Sequence, residues 1–200
     1  MDLEFVKRFY EEHLTRYGKE DIRGMGWHEE DEYSIRFDIV TQGLDLDNAS
    51  ILDVGCGYGG LYKHLVMSEV KNFSYLGIDF LPQMVKAAKE KNPTGRFEVC
   101  DILSDNAYPC DYVFCIGALN VKTEGSNEYF REMLAKMISL AKKAVIISFL
   151  SDKMYLANGP YHFENAEQLK TELEQNHQVK VEVRNDPRLR GESCLVIHRF

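Results

Sequence analysis

The fold prediction rests on ILDVGCGYGG, residues 51–60. An apolar run that includes Asp53 leads into four closely spaced glycines. Glycine adopts unusual backbone conformations and lets a ligand approach the main chain without a Cβ in the way, so the stretch predicts a strand followed by a ligand-binding turn. Two patterns fit this turn. Gly55, Gly57 and Gly60 satisfy the dinucleotide pattern G-x-G-x-x-G, whereas Asp53 with Gly55, Gly57 and Gly59 satisfies D-x-G-x-G-x-G.

Strand-like and helix-like segments alternate after this stretch. Apolar, strand-like runs cover 51–54, 73–78, 96–100, 111–116 and 144–150, and helix-like segments cover 59–68, 82–91, 126–142 and 165–176. Two alternating stretches, 179–184 and 193–200, close the chain as a predicted hairpin. This order predicts an α/β fold with a mostly parallel sheet, helices on both faces and an antiparallel last strand.

The first 49 residues differ from the rest and are predicted to form an N-terminal helical cap on a domain that covers 50–200. Apolar residues at helical spacing predict a helix over 3–17, which the sequence GMGW at 24–27 interrupts. Acidic residues at 29–32 then open a second predicted helix, because negative charge suits the positive end of the helix dipole. Gly43 is its predicted end.

Composition excludes several classes of protein. The 200 residues include 24 basic and 32 acidic ones, and a net charge of −8 argues against a surface that neutralises nucleic-acid phosphates. No apolar run approaches the roughly 20 residues of a membrane span. Five cysteines without a C-x-x-C pair, and a start unlike a signal peptide, predict reduced thiols and a cytoplasmic protein.

Carboxylates near the ends of the first three predicted strands choose between the two glycine patterns. Asp79 is placed to hydrogen-bond the two hydroxyls of a ribose, and Asp101 could accept the amino group of adenine. Asp53 would repel a pyrophosphate bound at the turn but would favour the ammonium and sulfonium cations of S-adenosylmethionine. The three acids therefore favour S-adenosylmethionine over a nicotinamide dinucleotide as the cofactor.

The motifs DVGCGYG (53–59), GIDF (77–80) and CDIL (100–103) resemble those of class I S-adenosylmethionine-dependent methyltransferases, in order and spacing, from about residue 50 to the end. The resemblance implies a Rossmann-like, seven-stranded sheet whose seventh strand is antiparallel. It also implies a set of cofactor-binding residues: Asp53, Gly55, Cys56, Gly57, Gly59, Asp79, Phe80, Met84, Asp101, Ile102, Ile116 and Gly117. Arg36, on the helix before the first strand, is a further candidate, to pair with the cofactor carboxylate.

One departure from the family concerns the acceptor. Members that methylate amide or adenine amino groups carry an Asn/Asp-Pro-Pro-aromatic tetrad, where this chain reads IGALN at 116–120. A small-molecule acceptor is therefore predicted. Methyl transfer needs no metal, so no metal site is predicted. The protein is predicted to be a monomer or a homodimer. The predicted catalytic bases are His28 and His162, and the predicted acceptor-binding residues are Tyr17, Trp27, Asn120, Tyr155, Tyr161 and Arg188. An NAD(P)-dependent oxidoreductase, a protein methyltransferase and a cofactor-binding module without catalytic activity remain as alternatives.

Overall fold

The computed structural model describes residues 2–27, 30–104, 108–151 and 159–200. Its strands are β1 (Ser50–Val54), β2 (Ser74–Asp79), β3 (Phe97–Val99), β4 (Cys110–Ile116), β5 (Ala141–Leu150), β6 (Val179–Arg184) and β7 (Glu192–Arg199). Its α-helices are α1 (Leu3–Tyr17), α2 (Glu30–Thr41), α3 (Gly60–Met67), α4 (Pro82–Lys91), α5 (Ser126–Leu140) and α6 (Ala166–Asn176), and a 3₁₀ turn covers Ile22–Met25.

The seven strands form one sheet in the order β3-β2-β1-β4-β5-β7-β6. Neighbours from β3 to β5 are parallel, whereas β7 is antiparallel to both β5 and β6. The predicted fold class, a mostly parallel sheet with an antiparallel last strand, is confirmed. Because β1 lies between β2 and β4, the chain reverses direction across the sheet at the carboxyl end of β1, which is where ligands bind in folds of this kind.

Side chains from each strand alternate between two cores, because successive residues of a strand point to opposite faces of the sheet. In β4, Tyr112 and Phe114 face the core formed with α2, α3 and α4. Val113 and Cys115 face the core formed with α5 and α6. Helices therefore cover both faces of the sheet. A ligand can then reach the strands only at their ends, such as the carboxyl edge.

The N-terminal segment divides into two parts. Phe37, Ile39 and Val40 of α2 are buried in the same core as α3 and α4, so α2 is a layer of the sandwich. By contrast, α1 and the 3₁₀ turn pack with Tyr10, Leu14 and Met25 against the start of α4 and the loops at the carboxyl edge. Exposed ion pairs, Lys19 with Glu90 and Glu20 with Lys91, also join this part to α4.

Several predicted boundaries are wrong by one to three residues, and two of them have consequences for the description of the fold. Helix α5 ends at Leu140 rather than 142, because Ala141 is already extended and pairs with Cys110 of β4. Strand β3 ends at Val99, so Asp101 lies in the turn that follows the strand. None of the helices in the described ranges is both long and apolar enough to cross a membrane.

Candidate functional site

A cavity opens at the carboxyl edge of the sheet, beneath α1 and the 3₁₀ turn. Its sheet side is formed by the ends of β1, β2 and β4 and by the loops that follow β1, β2, β3 and β4. All the predicted cofactor residues line it except Arg36 and Gly59. The residues on the cap side are Val6, Tyr10, Met25 and Trp27, with Tyr33 and Phe37 of α2 beside them.

The turn after β1 brings bare backbone to the cavity. Gly55 and Gly57 have φ values of 71° and 51°, which residues with a Cβ rarely adopt. A Cβ on Gly55 would overlap the Cβ of Ala118, so the turns after β1 and β4 touch here. The turn is also anchored to β2, because the backbone N–H groups of Gly55 and Cys56 both donate to the carbonyl of Ile78, at 2.8 and 3.0 Å.

Asp79 occupies the end of β2 and is buried at the cavity wall. Its carboxylate accepts hydrogen bonds from the backbone N–H groups of Leu81 at 3.0 Å and Gly57 at 3.1 Å. Burial raises the pKa of Asp79 to about 6, against the effect of these two hydrogen bonds. The carboxylate is thus held in one orientation by two turns, and each of its oxygens retains a lone pair for a ligand hydroxyl.

Asp53 lies deeper, in β1, and also lines the cavity. The hydroxyl of Tyr75 donates to its carboxylate at 2.6 Å. Burial raises the pKa of Asp53 to about 7, with a further upward contribution from the negative charge of Asp79. A cation close to Asp53 and Asp79 would stabilise the charged forms of both acids. This part of the cavity therefore favours a cationic ligand.

The rest of the sheet side combines one polar group with apolar walls. Asp101 accepts a hydrogen bond from the backbone N–H of Leu103 at 2.9 Å and lines the cavity next to Ile102. Met84, which is buried, and Phe80 border the same space. A flat, apolar ring with a hydrogen-bonding edge matches these surroundings, as adenine does.

Aromatic side chains close the other side. Trp27, Tyr33 and Phe37 form a chain of ring contacts, with centroids 6.0 Å and 5.0 Å apart. Tyr10 and Tyr129 also line the cavity, and burial raises the pKa of both phenols above the usual value. As protonated phenols, both can donate a hydrogen bond to a ligand at neutral pH. Within the described part of the chain, the charged side chains that line the cavity are all carboxylates.

The structure places two predicted cofactor residues elsewhere. Arg36 is buried and forms a bidentate ion pair with Glu192, with Nε 2.8 Å from Oε2. Its partner in this structure is thus a carboxylate of the protein. Gly59 faces away from the cavity, where a Cβ would crowd Asn92 and Phe97 at 2.7 and 2.8 Å.

The predicted base His162 is buried and does not line the cavity. Its Nε2 lies 2.8 Å from Glu164, which also pairs with Arg131, and its ring lies 5.4 Å from that of Phe130. The backbone N–H of His162 donates to the carbonyl of Asn120 at 2.8 Å. These contacts give His162 a place in the core, which does not fit a base that faces the cavity.

The predicted acceptor-binding residues are scattered. Trp27 lines the cavity, but Asn120, Tyr161, Tyr17 and Arg188 do not. The Asn120 side chain accepts the N–H of Leu150 at 3.2 Å, which ties together the ends of β4 and β5. Tyr161 bridges to Val121, and its phenol contributes to the raised pKa of Tyr10, so it lies near the cavity without lining it.

Surface contacts explain the remaining two positions. The Cζ atom of Arg23 lies over the ring of Tyr17, 4.8 Å from the ring centroid. Arg188 is exposed and pairs with Asp186 at 2.7 Å. The candidates His28 and Tyr155 lie outside the described residues. Within the described ranges, no group of three or more His, Cys, Asp or Glu side chains is arranged to hold a metal ion.

Several cavity residues were not predicted from the sequence. Tyr129 and Met133 are four residues apart on α5, so they share one face of the helix that starts just beyond the β4 loop. That spacing was a usable signal, because the first turns of such a helix lie at the carboxyl edge. Tyr33 and Phe37 share a face of α2 in the same way.

Comparison with known proteins agrees with this geometry. A family model described as a methyltransferase domain matches residues 51–143. A putative methyltransferase 235L of Invertebrate iridescent virus 6 is 41% identical over 59 residues, which are 30% of this chain. The matched region is only 22% of the viral protein.

Solved structures share the whole fold. Magnesium protoporphyrin IX methyltransferase (ChlM) from Synechocystis PCC 6803, with bound SAH, superposes with a TM-score of 0.72 at 20% identity over 100% of both chains. The 1,6-didemethyltoxoflavin-N1-methyltransferase of Burkholderia thailandensis, with its substrate and S-adenosylhomocysteine bound, gives 0.67 at 17% identity over 100% of this chain and 90% of that one. Residues 51–143 therefore resemble a methyltransferase domain, and the whole chain shares the fold of these solved methyltransferases.

Proposed function

We propose that this protein binds S-adenosylmethionine in the cavity beneath α1 and the 3₁₀ turn and transfers its methyl group to a small-molecule acceptor. The observation that carries the proposal is the charge of the lining. Three carboxylates, Asp53, Asp79 and Asp101, meet around a bare glycine turn, and no Lys, Arg or His side chain of the described residues lines the cavity. A pyrophosphate-containing dinucleotide would be repelled here, whereas a sulfonium cation is favoured.

Each part of the cofactor has a matching set of residues. Asp79 would hold the ribose hydroxyls, and Asp101 with Ile102, Phe80 and Met84 would hold the adenine. Asp53 and the turn from Gly55 to Gly57 would surround the methionyl part, with Ile116 and Gly117 beside the sulfur. When bound, S-adenosylmethionine would supply a methyl group already activated for displacement by a nucleophile.

The protein's own contribution would be orientation and exclusion of water. Val6, Tyr10, Met25 and Trp27 cover the cavity, and such a roof suits a small acceptor better than a segment of a folded protein. Tyr10 and Tyr129 would orient the acceptor through their protonated hydroxyls. The reaction needs the acceptor atom in line with the departing sulfur, and a base only where that atom carries a proton. We further propose that the protein acts in the cytoplasm.

Isothermal titration calorimetry tests the cofactor directly. S-adenosylmethionine and S-adenosylhomocysteine should bind, and NADH and NADPH should bind much more weakly. Tighter binding of NADH than of either sulfur compound would contradict the proposal. Transfer of a labelled methyl group to candidate small molecules, compared with candidate proteins, then tests the acceptor class.

The affinity for S-adenosylmethionine should depend on pH. The pKa values of Asp53, about 7, and Asp79, about 6, are raised in the unliganded protein, so both acids become protonated as the pH falls through this range. A cationic ligand binds the ionised acids better, and linkage to one proton changes Kd by up to about tenfold per pH unit. Affinity should therefore be greatest at about pH 8 and fall as the pH drops through 7 and 6, as calorimetry at several pH values can measure.

The neutral sulfur of S-adenosylhomocysteine supplies the comparison. The affinity for S-adenosylhomocysteine should fall less steeply as the pH is lowered. In the Asp53→Asn variant, the pH dependences of the two affinities should become more alike. The unliganded protein should show the opposite trend in stability. A buried acid with a raised pKa binds more protons in the folded state, so the melting temperature should rise as the pH falls from about 8 towards 6. Parallel pH profiles for the two ligands would contradict the assigned role of Asp53.

His162→Leu separates the two possible roles of that residue. The substitution removes one partner of the buried Glu164 carboxylate, so we expect a loss of about 1–3 kcal/mol in the free energy of unfolding. Affinity for S-adenosylhomocysteine should be unchanged, because His162 does not line the cavity. Denaturant unfolding and calorimetry provide these measurements. A folded variant that binds the cofactor normally but has lost methyl transfer would instead establish His162 as the base.

A further inference from the structure

Arg36 and Glu192 form an ion pair inside the protein. Arg36 lies on α2 and Glu192 is the first residue of β7, and their side chains are only 2% and 6% exposed. The guanidinium binds both carboxylate oxygens of Glu192, with the Nε–Oε2 distance at 2.8 Å. The pair therefore joins α2 to the start of β7. There Glu192 lies opposite Leu150, the last residue of β5.

The same guanidinium contacts the cavity wall. Its Cζ lies 3.8 Å from the ring centroid of Trp27, close enough for a cation–π interaction. The indole edge in turn abuts Gly117, where a Cβ would overlap Cη2 and lie 2.6 Å from Cζ2. Trp27 is thus placed between a fixed cation and the bare backbone at the end of β4.

Burying two charges requires compensation, and replacing a buried pair by apolar residues is often neutral for stability. Stability alone is therefore a weak explanation for this pair. Its geometry supplies another one, because a guanidinium bound at two points presents a planar face in a fixed orientation. That face is the one that meets the indole of Trp27.

We infer that Arg36, anchored by Glu192, is a positioning residue that holds the indole of Trp27 against Gly117 and so sets the width of the cavity at the end of β4. The inference deepens the proposed function and rests on it in one respect, since Gly117 borders the proposed site of the sulfur. A ligand group that reaches this point must be flat enough to pass along the fixed indole. Trp27 thereby becomes a specificity-determining residue for the acceptor, and Arg36 acts through it.

Fluorescence can test this inference without a substrate, because Trp27 is the one tryptophan in the 200-residue chain. The first variant, Glu192→Gln, removes the anchoring charge. The second, Arg36→Met with Glu192→Leu, replaces the pair by apolar residues of similar size and so should preserve the fold. In both, acrylamide quenching of Trp27 should rise severalfold and emission should shift to longer wavelength, while the far-ultraviolet circular dichroism stays unchanged.

Glu164→Gln is the matched control, because it weakens another ion pair, with the part-buried Arg131, that does not contact Trp27. It should lower the melting temperature and leave Trp27 quenching unchanged. Unchanged quenching in a folded double variant would overturn the inference. So would failure of both Glu192 variants to fold, because the pair would then be a requirement of the fold itself.

Calorimetry with S-adenosylhomocysteine, run on the same proteins, separates this inference from the proposed function. Failure of the ligand to bind the parent protein would refute the proposed function and leave the quenching result intact. Normal binding together with unchanged quenching in the double variant would refute only the positioning role.

Discussion

Replacing Asp79 with alanine should weaken the binding of S-adenosylhomocysteine by at least about tenfold, because two charge-assisted hydrogen bonds to the ribose hydroxyls are worth about 1.5–3 kcal/mol each. The effect should exceed that of any other single acid in the cavity. Asp79 ends β2 in the fixed orientation that the N–H groups of Gly57 and Leu81 impose. Calorimetry of the variant against the parent protein measures the change directly.

The same two hydrogen bonds complicate the alanine variant, because both N–H groups lose their acceptor. Asp79→Asn keeps one acceptor and so reports the charge with less disturbance of the turns. Asp111→Ala is the matched control. Asp111 also accepts from a backbone N–H, that of Ser50 at 2.8 Å, but lies at the opposite end of the sheet, near the start of β4. It should lose stability and keep cofactor affinity. Equal losses of affinity in the Asp79 and Asp111 variants would show that the effect reflects the fold rather than the ribose.

Local sequence was sufficient to predict the central strands and most of the residues that line the sheet side of the cavity. The glycine turn, Asp53 and Asp79 are adjacent to apolar runs whose character is set within a few residues, and the parallel sheet brings the carboxyl ends of those strands together. The sequence pattern was therefore enough to predict that these residues lie close together in the structure. The antiparallel orientation of β7 also followed from the resemblance.

The roles of Arg36 and His162 could not be predicted in the same way, because contacts with distant parts of the chain decide them. Arg36 was assigned to a ligand, and its partner Glu192 is 156 residues away. Nothing local marks Glu192 as the anion that would reach it. His162 shows the converse case, since a histidine between aromatic residues suits both a cleft wall and a packed core, and Glu164 with Phe130 decides for the core here.

Removing the roof of the cavity should abolish methyl transfer while leaving much of the cofactor affinity. Tyr10 and Met25 belong to the cap and line the cavity, and the sulfur of Met25 lies 3.2 Å from the backbone nitrogen of Tyr58, in the glycine turn. In the double variant Tyr10→Ala with Met25→Ala, water can reach the cavity and the acceptor loses its orientation. Small errors in position cost about 100-fold in rate, so we expect at least that loss.

Leu14→Ala separates the roof from the docking of α1. Leu14 packs in the same apolar cluster as Tyr10 and Met25 but does not line the cavity. It should weaken the attachment of α1 and change the transfer rate little. The measurements are methyl transfer at saturating cofactor, with S-adenosylhomocysteine affinity determined separately. Since the three carboxylates and the glycine turn belong to the sheet side, the affinity of the double variant should fall only severalfold. A double variant that transfers methyl groups at the parent rate would show that α1 and the 3₁₀ turn contribute packing alone, and the site of water exclusion would then have to be sought in the loops after β4 and β5.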